Sequence, residues 1–234
     1  MKVLLSWSSG KDAAWALQTL RATGTPVAAL LTTFNEVVDR VAMHAVRREL
    51  VEAQAAAAGL PLWRVPIPSP CPNEVYEAAM RAAVAGARAD GFTHVAFGDL
   101  FLEDVRRYRE ERLAGTGLTP LFPLWGRPTP ALAREMLAGG LRAVVTCVDP
   151  AQLPKTFAGR WFGPALLDEL PAAADPCGER GEFHTFCSAG PMFARPVDVE
   201  VGATVERGGF VFADVLPAPV QNRGSRGEAT DATS

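Results

Sequence analysis

The chain has 234 residues, 48% hydrophobic and 21% charged, with a formal net charge of −3. That length and balance suit one large domain, or one with a modest appendage, around a sizeable core. They exclude a membrane-spanning chain, since no apolar run approaches roughly 18–20 residues, and they give no global field that would draw the chain onto nucleic acid or acidic lipid.

The first apolar segment is too short, and too soon interrupted by Ser6 and Gly10, for a signal-peptide core, so a cytoplasmic protein is expected. VLLS (3–6) and PVAALLTTF (26–34) are continuous apolar runs, as strands covered on both faces should be. Between them Ala13, Ala16, Leu17 and Leu20 recur at helical spacing, and Gly24 predicts the stop. Met43, Val46, Leu50, Ala53 and Ala57 predict a second helix, ended by Gly59 and Pro61 and followed by a strand, LWRVPI (62–67). Asn73 is placed to cap a third helix on which Tyr76, Ala79, Met80, Ala83 and Ala87 share a face. THVAFGD (93–99) reads as a buried strand. LEDVRRYREERLAG (102–115) reads as a helix with acids first and arginines later, the polarity a helix dipole favours. PTPALAREMLAGG (128–140) and LRAVVTCVD (141–149) continue the alternation as helix and strand.

This order predicts an α/β fold over residues 1–150, a doubly wound, Rossmann-like parallel sheet. Ligands of such sheets bind beyond the carboxyl ends of the strands, where SWSSGKD, TTFNE, FGDLFLED and CVDPAQLPK all fall. From about residue 170 Gly and Pro break the pattern, and PVDVEV and GFVFADV predict two antiparallel strands joined around ERGG. Residues 151–216 are therefore expected to form a smaller α+β portion, and 217–234, poor in apolar residues, a disordered tail. Cys71, Cys147, Cys177 and Cys187 lie far apart without a CxxC, which argues against a zinc ribbon or a redox pair and for reduced, mostly buried thiols.

Two stretches carry the chemistry. In SWSSGKDAAWAL (6–17) a strand, a Ser/Gly turn and a helix N-terminus bring unpaired N–H groups and the positive end of a helix dipole together, an arrangement suited to an anion. Ser6, Ser8 and Ser9 add hydroxyls, Gly10 admits close approach, and Lys11 adds a point charge in a chain with only three lysines. Asp12 either caps the helix or holds a cation. The spacing fits neither GxxxxGK[ST] nor GxGxxG. In DPCGERGEFHTF (175–186), Asp175, Glu179, Glu182, His184 and Thr185 fall within twelve residues. A carboxylate near an imidazole suits general-base work, or a divalent metal shared with phosphate oxygens; a solvated surface loop is the blander account. His44, on the second helix, either faces the ligand edge or lies on the helix surface. Asp99, Glu103 and Asp104 follow a strand end and are placed to touch magnesium or substrate, whereas Arg106, Arg107, Arg109 and Arg112 form a docking patch or a solvated helix face.

Together the two stretches resemble a known family. SWSSGKDAAWAL is similar to the SGGKDS loop of the adenine nucleotide alpha-hydrolase-like (PP-loop) superfamily. DPCGERGEFHTF, followed by GPMFARPV, resembles the second signature of the diphthine–ammonia ligase family within it, and FGDLFLEDVRRYRE fits the same family. The resemblance, from residue 2 to about 212, implies an HUP-type domain using ATP and Mg2+, with Asp12 at the metal. It implies an AMP- and pyrophosphate-forming ligase that adenylates a carboxylate for attack by ammonia. The acceptor would be the diphthine of elongation factor 2 where the organism makes it, and otherwise a small molecule. Ser6, Trp7, Ser8, Ser9, Gly10, Lys11 and Asp12 would bind the nucleotide, with Thr32 and Gly98 from neighbouring strand ends. Lys11, Glu179, Glu182 and His184 would be catalytic, and His44, Asp99, Glu103 and Thr185 would meet the substrate. Ser9 stands where the family loop has its second Gly, and it can still donate its N–H there only if its backbone avoids the positive φ that glycine tolerates; Ala13 replaces the loop's final Ser. Two other readings stay open, a nucleobase-modifying tRNA enzyme and an ATP-binding sensor without catalysis, as does a homodimer.

Overall fold

The computed structural model describes residues 1–35, 40–41 and 46–219. In chain order the elements are β1 (Val3–Ser6), α1 (Lys11–Ala22), β2 (Val27–Asn35), β3 (Arg40–Val41), α2 (Arg48–Ala58), β4 (Leu62–Ile67), α3 (Asn73–Ala89), β5 (His94–Ala96), α4 (Glu103–Leu113) and β6 (Thr119–Leu121). There follow α5 (Thr129–Ala138), β7 (Arg142–Val148), β8 (Trp161–Phe162), α6 (Pro164–Glu169), β9 (Phe183–Ala189), β10 (Val199–Arg207) and β11 (Phe210–Pro217).

The first sheet runs β4-β2-β1-β5-β6 with all strands parallel, and β3 adds a short antiparallel pairing at the carboxyl end of β2. Side chains alternate as a doubly covered sheet requires. Val3 and Leu5 pack on one face with Ala16, Leu17 and Leu20 of α1 and Leu50 of α2. Leu4, Ala29 and Val95 face the other way, with Ala87 of α3 and Leu113 of α4.

The strand expected to extend this parallel sheet over 141–149 does something else. β7 is the centre of a second, wholly antiparallel sheet, with β9 on one edge and β11 and β8 on the other; β10 flanks β11. A short apolar run reads alike in a parallel or an antiparallel core, so periodicity alone could not assign the sheet. The three-residue β6 ends the first sheet instead. The hairpin around ERGG forms as expected, and Pro217, the first residue of the expected tail, ends β11. Ala218 still donates its N–H to the Asp198 carbonyl, and residues 220–234 lie outside the described residues.

α1 lies between the two sheets, because the core it shares with Val3 and Leu5 continues into Val144, Val145 and Phe186 of the second sheet. Gly139 lets α5 sit close to α1: a Cβ there would fall 2.4 Å from the Trp15 ring, whose Nε1 donates to Glu135 at 3.0 Å. α2 begins at Arg48; Met43 and His44, expected on it, lie outside the described residues. Asn73 does not cap α3. It is the first residue of the helix, after Pro72, and its amide donates to Glu77 at 3.0 Å. Among the described residues no helix is long and apolar enough to cross a membrane.

Candidate functional site

The first loop leaves the sheet from a fixed root. The Trp7 N–H donates to the Leu31 carbonyl at 2.7 Å, and the buried Thr32 hydroxyl donates to the Trp7 carbonyl at 2.7 Å. Thr32, expected at a ligand, is thus an anchor, and its neighbour Thr33 faces the adjoining cavity. The Trp7 indole points inward, donating to Gln54 Oε1 at 2.9 Å.

Ser9 does not avoid positive φ. Its φ is 71°, the only positive value at a non-glycine among the described residues, so a serine occupies the backbone conformation that glycine adopts freely. It is held there by its carbonyl, which accepts from the Cys187 N–H at 2.9 Å and from Gln54 Nε2 at 3.0 Å. Gly10 stays extended, but a Cβ would lie 3.2 Å from the Thr185 carbonyl, so its bareness admits β9. The Lys11 N–H, one of the orphan donors at the start of α1, donates to Thr185 Oγ1 at 3.1 Å. The two sequence stretches therefore meet: β9 lies directly against the first loop.

Lys11 is 1% exposed. Its ammonium donates to Asp12 Oδ2 at 2.9 Å and to the Cys177 carbonyl, and lies 5.1 Å from the Phe183 ring centroid. Burial alone would lower its pKa, but the Asp12 carboxylate, with Cys177 and Glu179 adding to it, leaves the pKa raised. Lys11 is an internal cation joining both stretches, not an open point charge. Burial raises the Asp12 carboxyl against the pull of Lys11, and its Oδ1 is buried without a hydrogen-bond partner.

The acids of the second stretch divide by task. Asp175 closes the loop on itself: Oδ1 accepts from the N–H groups of Cys177 (2.9 Å) and Glu179 (3.3 Å), and Oδ2 from Thr129 Oγ1 (2.5 Å). Both oxygens of the buried Glu182 accept backbone amides, from Asp175 at 2.7 Å and Arg180 at 2.9 Å. Gly178 permits this turn, with φ 70° and a notional Cβ only 2.7 Å from the Phe183 carbonyl. Glu179 alone reaches across to the first sheet, accepting the N–H groups of Leu100 (2.7 Å) and Phe101 (3.4 Å) beyond β5. Burial pushes its carboxyl up to about 7; Asp12 and Asp99 add to the rise, and the two amides hold it back. Burial and the nearby Lys11 charge bring His184 down to about 4, so its imidazole is neutral at neutral pH.

Asp99 is raised by burial, partly countered by Arg109 at 3.5 Å. Gly98 allows close packing with α1, since a Cβ would lie 3.0 Å from the Asp12 carbonyl carbon and the Ala13 nitrogen. Glu103 is exposed at the first turn of α4. In the arginine run Arg106 pairs with Glu110, as on a solvated helix face, and lies 4.8 Å from the Trp125 ring; Arg109 lies 4.8 Å from Phe97, and Arg107 and Arg112 are exposed.

A cavity of about 990 Å³ opens beside the loop, where Ser6, Trp7 and Ser8 line one end. It runs between the sheet face (Leu4, Leu31, Val95) and helices α3 and α4, which contribute Tyr76, Met80 and Tyr108. Sequence reasoning missed Gln54, whose signal is a polar residue at an i, i+4, i+7 position between Leu50 and Ala57 on a buried helix face.

Residues 1–115 match the family described as diphthamide synthase N-terminal domain, and residues 129–212 the diphthamide synthase C-terminal domain. Among curated proteins, the diphthine–ammonia ligase of Rattus norvegicus is 26% identical over 238 residues, covering 92% of this chain and 89% of its own. That of Danio rerio is 28% identical over 240 residues, covering 92% of each. A solved structure titled as a predicted subunit of tRNA methyltransferase from Methanocaldococcus jannaschii overlaps 59% of this chain and 75% of its own at 18% identity with a TM-score of 0.39, a likeness on which nothing further rests. With both matched segments in order along one chain, the protein belongs to the diphthamide synthase family.

Proposed function

We propose that the protein is an ATP-dependent amide ligase. It transfers AMP from ATP to a carboxylate, releasing pyrophosphate, and ammonia then displaces AMP to leave an amide. The diphthine–ammonia ligase relatives make diphthine the first acceptor to test. The observation that supports the reading is the junction of the two stretches: the Lys11 N–H bond to Thr185 joins β9 to the N-terminal end of α1, and Ser6, Trp7 and Ser8 of the same loop line a cavity of about 990 Å³.

In this reading Ser6, Ser8 and the amides around Gly10 receive the phosphates. Lys11 acts from behind, fixing Asp12 and the Cys177 turn and setting a positive field under the loop. Asp12 fits a magnesium ion, since its Oδ1 is a buried hard oxygen with no other partner. No group of three His, Cys, Asp or Glu converges among the described residues, so phosphate oxygens would complete that shell. When bound, the ion supplies positive charge to the phosphates.

Glu179 is the general base. It is half-buried with the Asp12 and Asp99 charges nearby, and a carboxyl titrating at about 7 takes the proton that ammonia loses on attack. Glu182 and Asp175 hold the turn that presents it, and His184, neutral, faces the substrate without carrying charge.

The experiment is a product assay with ATP, Mg2+, ammonium and diphthine-bearing elongation factor 2, with a low-molecular-weight carboxylate panel in parallel. AMP and pyrophosphate, formed only with an acceptor, support the ligase. ADP and phosphate would refute it.

A further inference from the structure

We infer that Gln54 is a positioning residue that locks the phosphate-binding loop in its strained conformation; the inference rests on the ATP site proposed above. Gln54 lies on α2, is 0% exposed, and has all its bonding directed at one junction. Its Oε1 accepts from the Trp7 indole at 2.9 Å, and its Nε2 donates to the carbonyls of Ser9 at 3.0 Å and Cys187 at 2.6 Å. The Ser9 carbonyl also accepts the Cys187 N–H at 2.9 Å. One carboxamide thus ties both ends of the loop segment 7–9 to a strand of the second sheet.

The consequence lies in the peptide plane between Ser9 and Gly10. A trans peptide points its C=O and N–H in opposite directions. With the Ser9 carbonyl drawn toward Gln54 and β9, the Gly10 N–H is turned to the opposite side, toward Ser8 Oγ at 3.4 Å, and Ser8 lines the cavity. Ser9 at φ 71° is the point of weakness, because serine gains by leaving that region and glycine does not. If Ser9 relaxed, the plane would rotate and the Gly10 N–H would leave the cavity side. The clamp is therefore needed because the residue at position 9 is a serine.

The test pairs Gln54→Met, which keeps the length of the side chain and removes its hydrogen bonds, with Ser9→Gly/Gln54→Met. Titration calorimetry with ATP and Mg2+ should show Gln54→Met weakening affinity at least tenfold, while the double variant stays within about threefold of Ser9→Gly alone. Equal losses in both backgrounds, or unchanged affinity in Gln54→Met, would overturn the inference. Gln54→Glu gives a second route: its protonated carboxyl still donates to one carbonyl and its ionised form to neither. Its ATP affinity must fall as pH rises through that titration, relative to wild type; a parallel pH profile would count against the clamp. Hydrogen exchange of the free protein needs no ligand. Gln54→Met must speed exchange at the Cys187 amide at least tenfold, and unchanged protection there would refute the clamp. A wild-type protein that binds no ATP defeats the proposed function, whereas the exchange result judges the clamp independently.

Discussion

Glu179 combines partial burial, two acidic neighbours and two backbone donors, and the balance sets its chemistry. As a base it must be ionised, so turnover at constant free ammonia should rise with pH to a plateau above about 7. Glu179→Gln should remove that limb and lower kcat by about 10²–10⁴ while leaving ATP affinity near wild type; a retained pH limb in the variant would assign it to another group. His184 gives the opposite sign in stability. Its folded pKa, about 4, lies below the ordinary value of 6.5, so the folded state resists protonation. Stability is full above about 6.5 and falls as pH drops toward 4. Denaturant unfolding of His184→Gln should show a flatter acid limb across that window; an equally steep limb would mean that the imidazole contributes nothing to it.

At the scale of elements, two glycines place the site by what they lack. Gly98→Ala puts a methyl 3.0 Å from the backbone of α1, and since backbone cannot swing aside, the helix must shift. ATP affinity should weaken by at least tenfold, measured by calorimetry, with the fold retained by circular dichroism. Gly178→Ala is strained twice, by φ 70° and by the Phe183 carbonyl, and should cost about 1–3 kcal/mol or more in denaturant unfolding; a neutral result would mean that the turn is not held as described. Much of this architecture was legible in the sequence. β1, β2, β4, α1 and α3 fall within a few residues of their apolar patterns, because burial on a sheet or along one helix face writes a period into the chain. Sheet membership was not legible: apart from Arg142 and Thr146, β7 is apolar and reads the same in either sheet. The site was legible as residue types, not as tasks. The residue types of Lys11, Glu182 and Thr32 point to a ligand, yet their polar atoms serve the Cys177 carbonyl, the turn amides and the Trp7 carbonyl. Those assignments depend on which backbone groups lie nearby, and such contacts leave no periodic trace. Ser9 shows the same limit, since its φ is fixed by Gln54 and Cys187, 45 and 178 residues further along the chain.

For the whole molecule, the parallel sheet supplies the N-terminal end of α1 and a cavity, and the antiparallel sheet supplies the strand and turn that lie against that helix end. One apolar core runs through both, from Val3 and Leu5 across α1 to Val144 and Phe186. The halves should therefore unfold together, giving a single calorimetric transition whose van't Hoff and calorimetric enthalpies agree; two resolved transitions would contradict a shared core. In the proposed reaction catalysis should depend on the same union, since the proposed base Glu179 comes from the second half and the proposed nucleotide loop from the first. The most direct test is labelled pyrophosphate exchange into ATP by the purified protein with Mg2+ and diphthine-bearing elongation factor 2, without ammonia. The account predicts exchange that requires the acceptor, and AMP with amide product once ammonium is added. Formation of ADP, or an amide made without release of pyrophosphate, would contradict it.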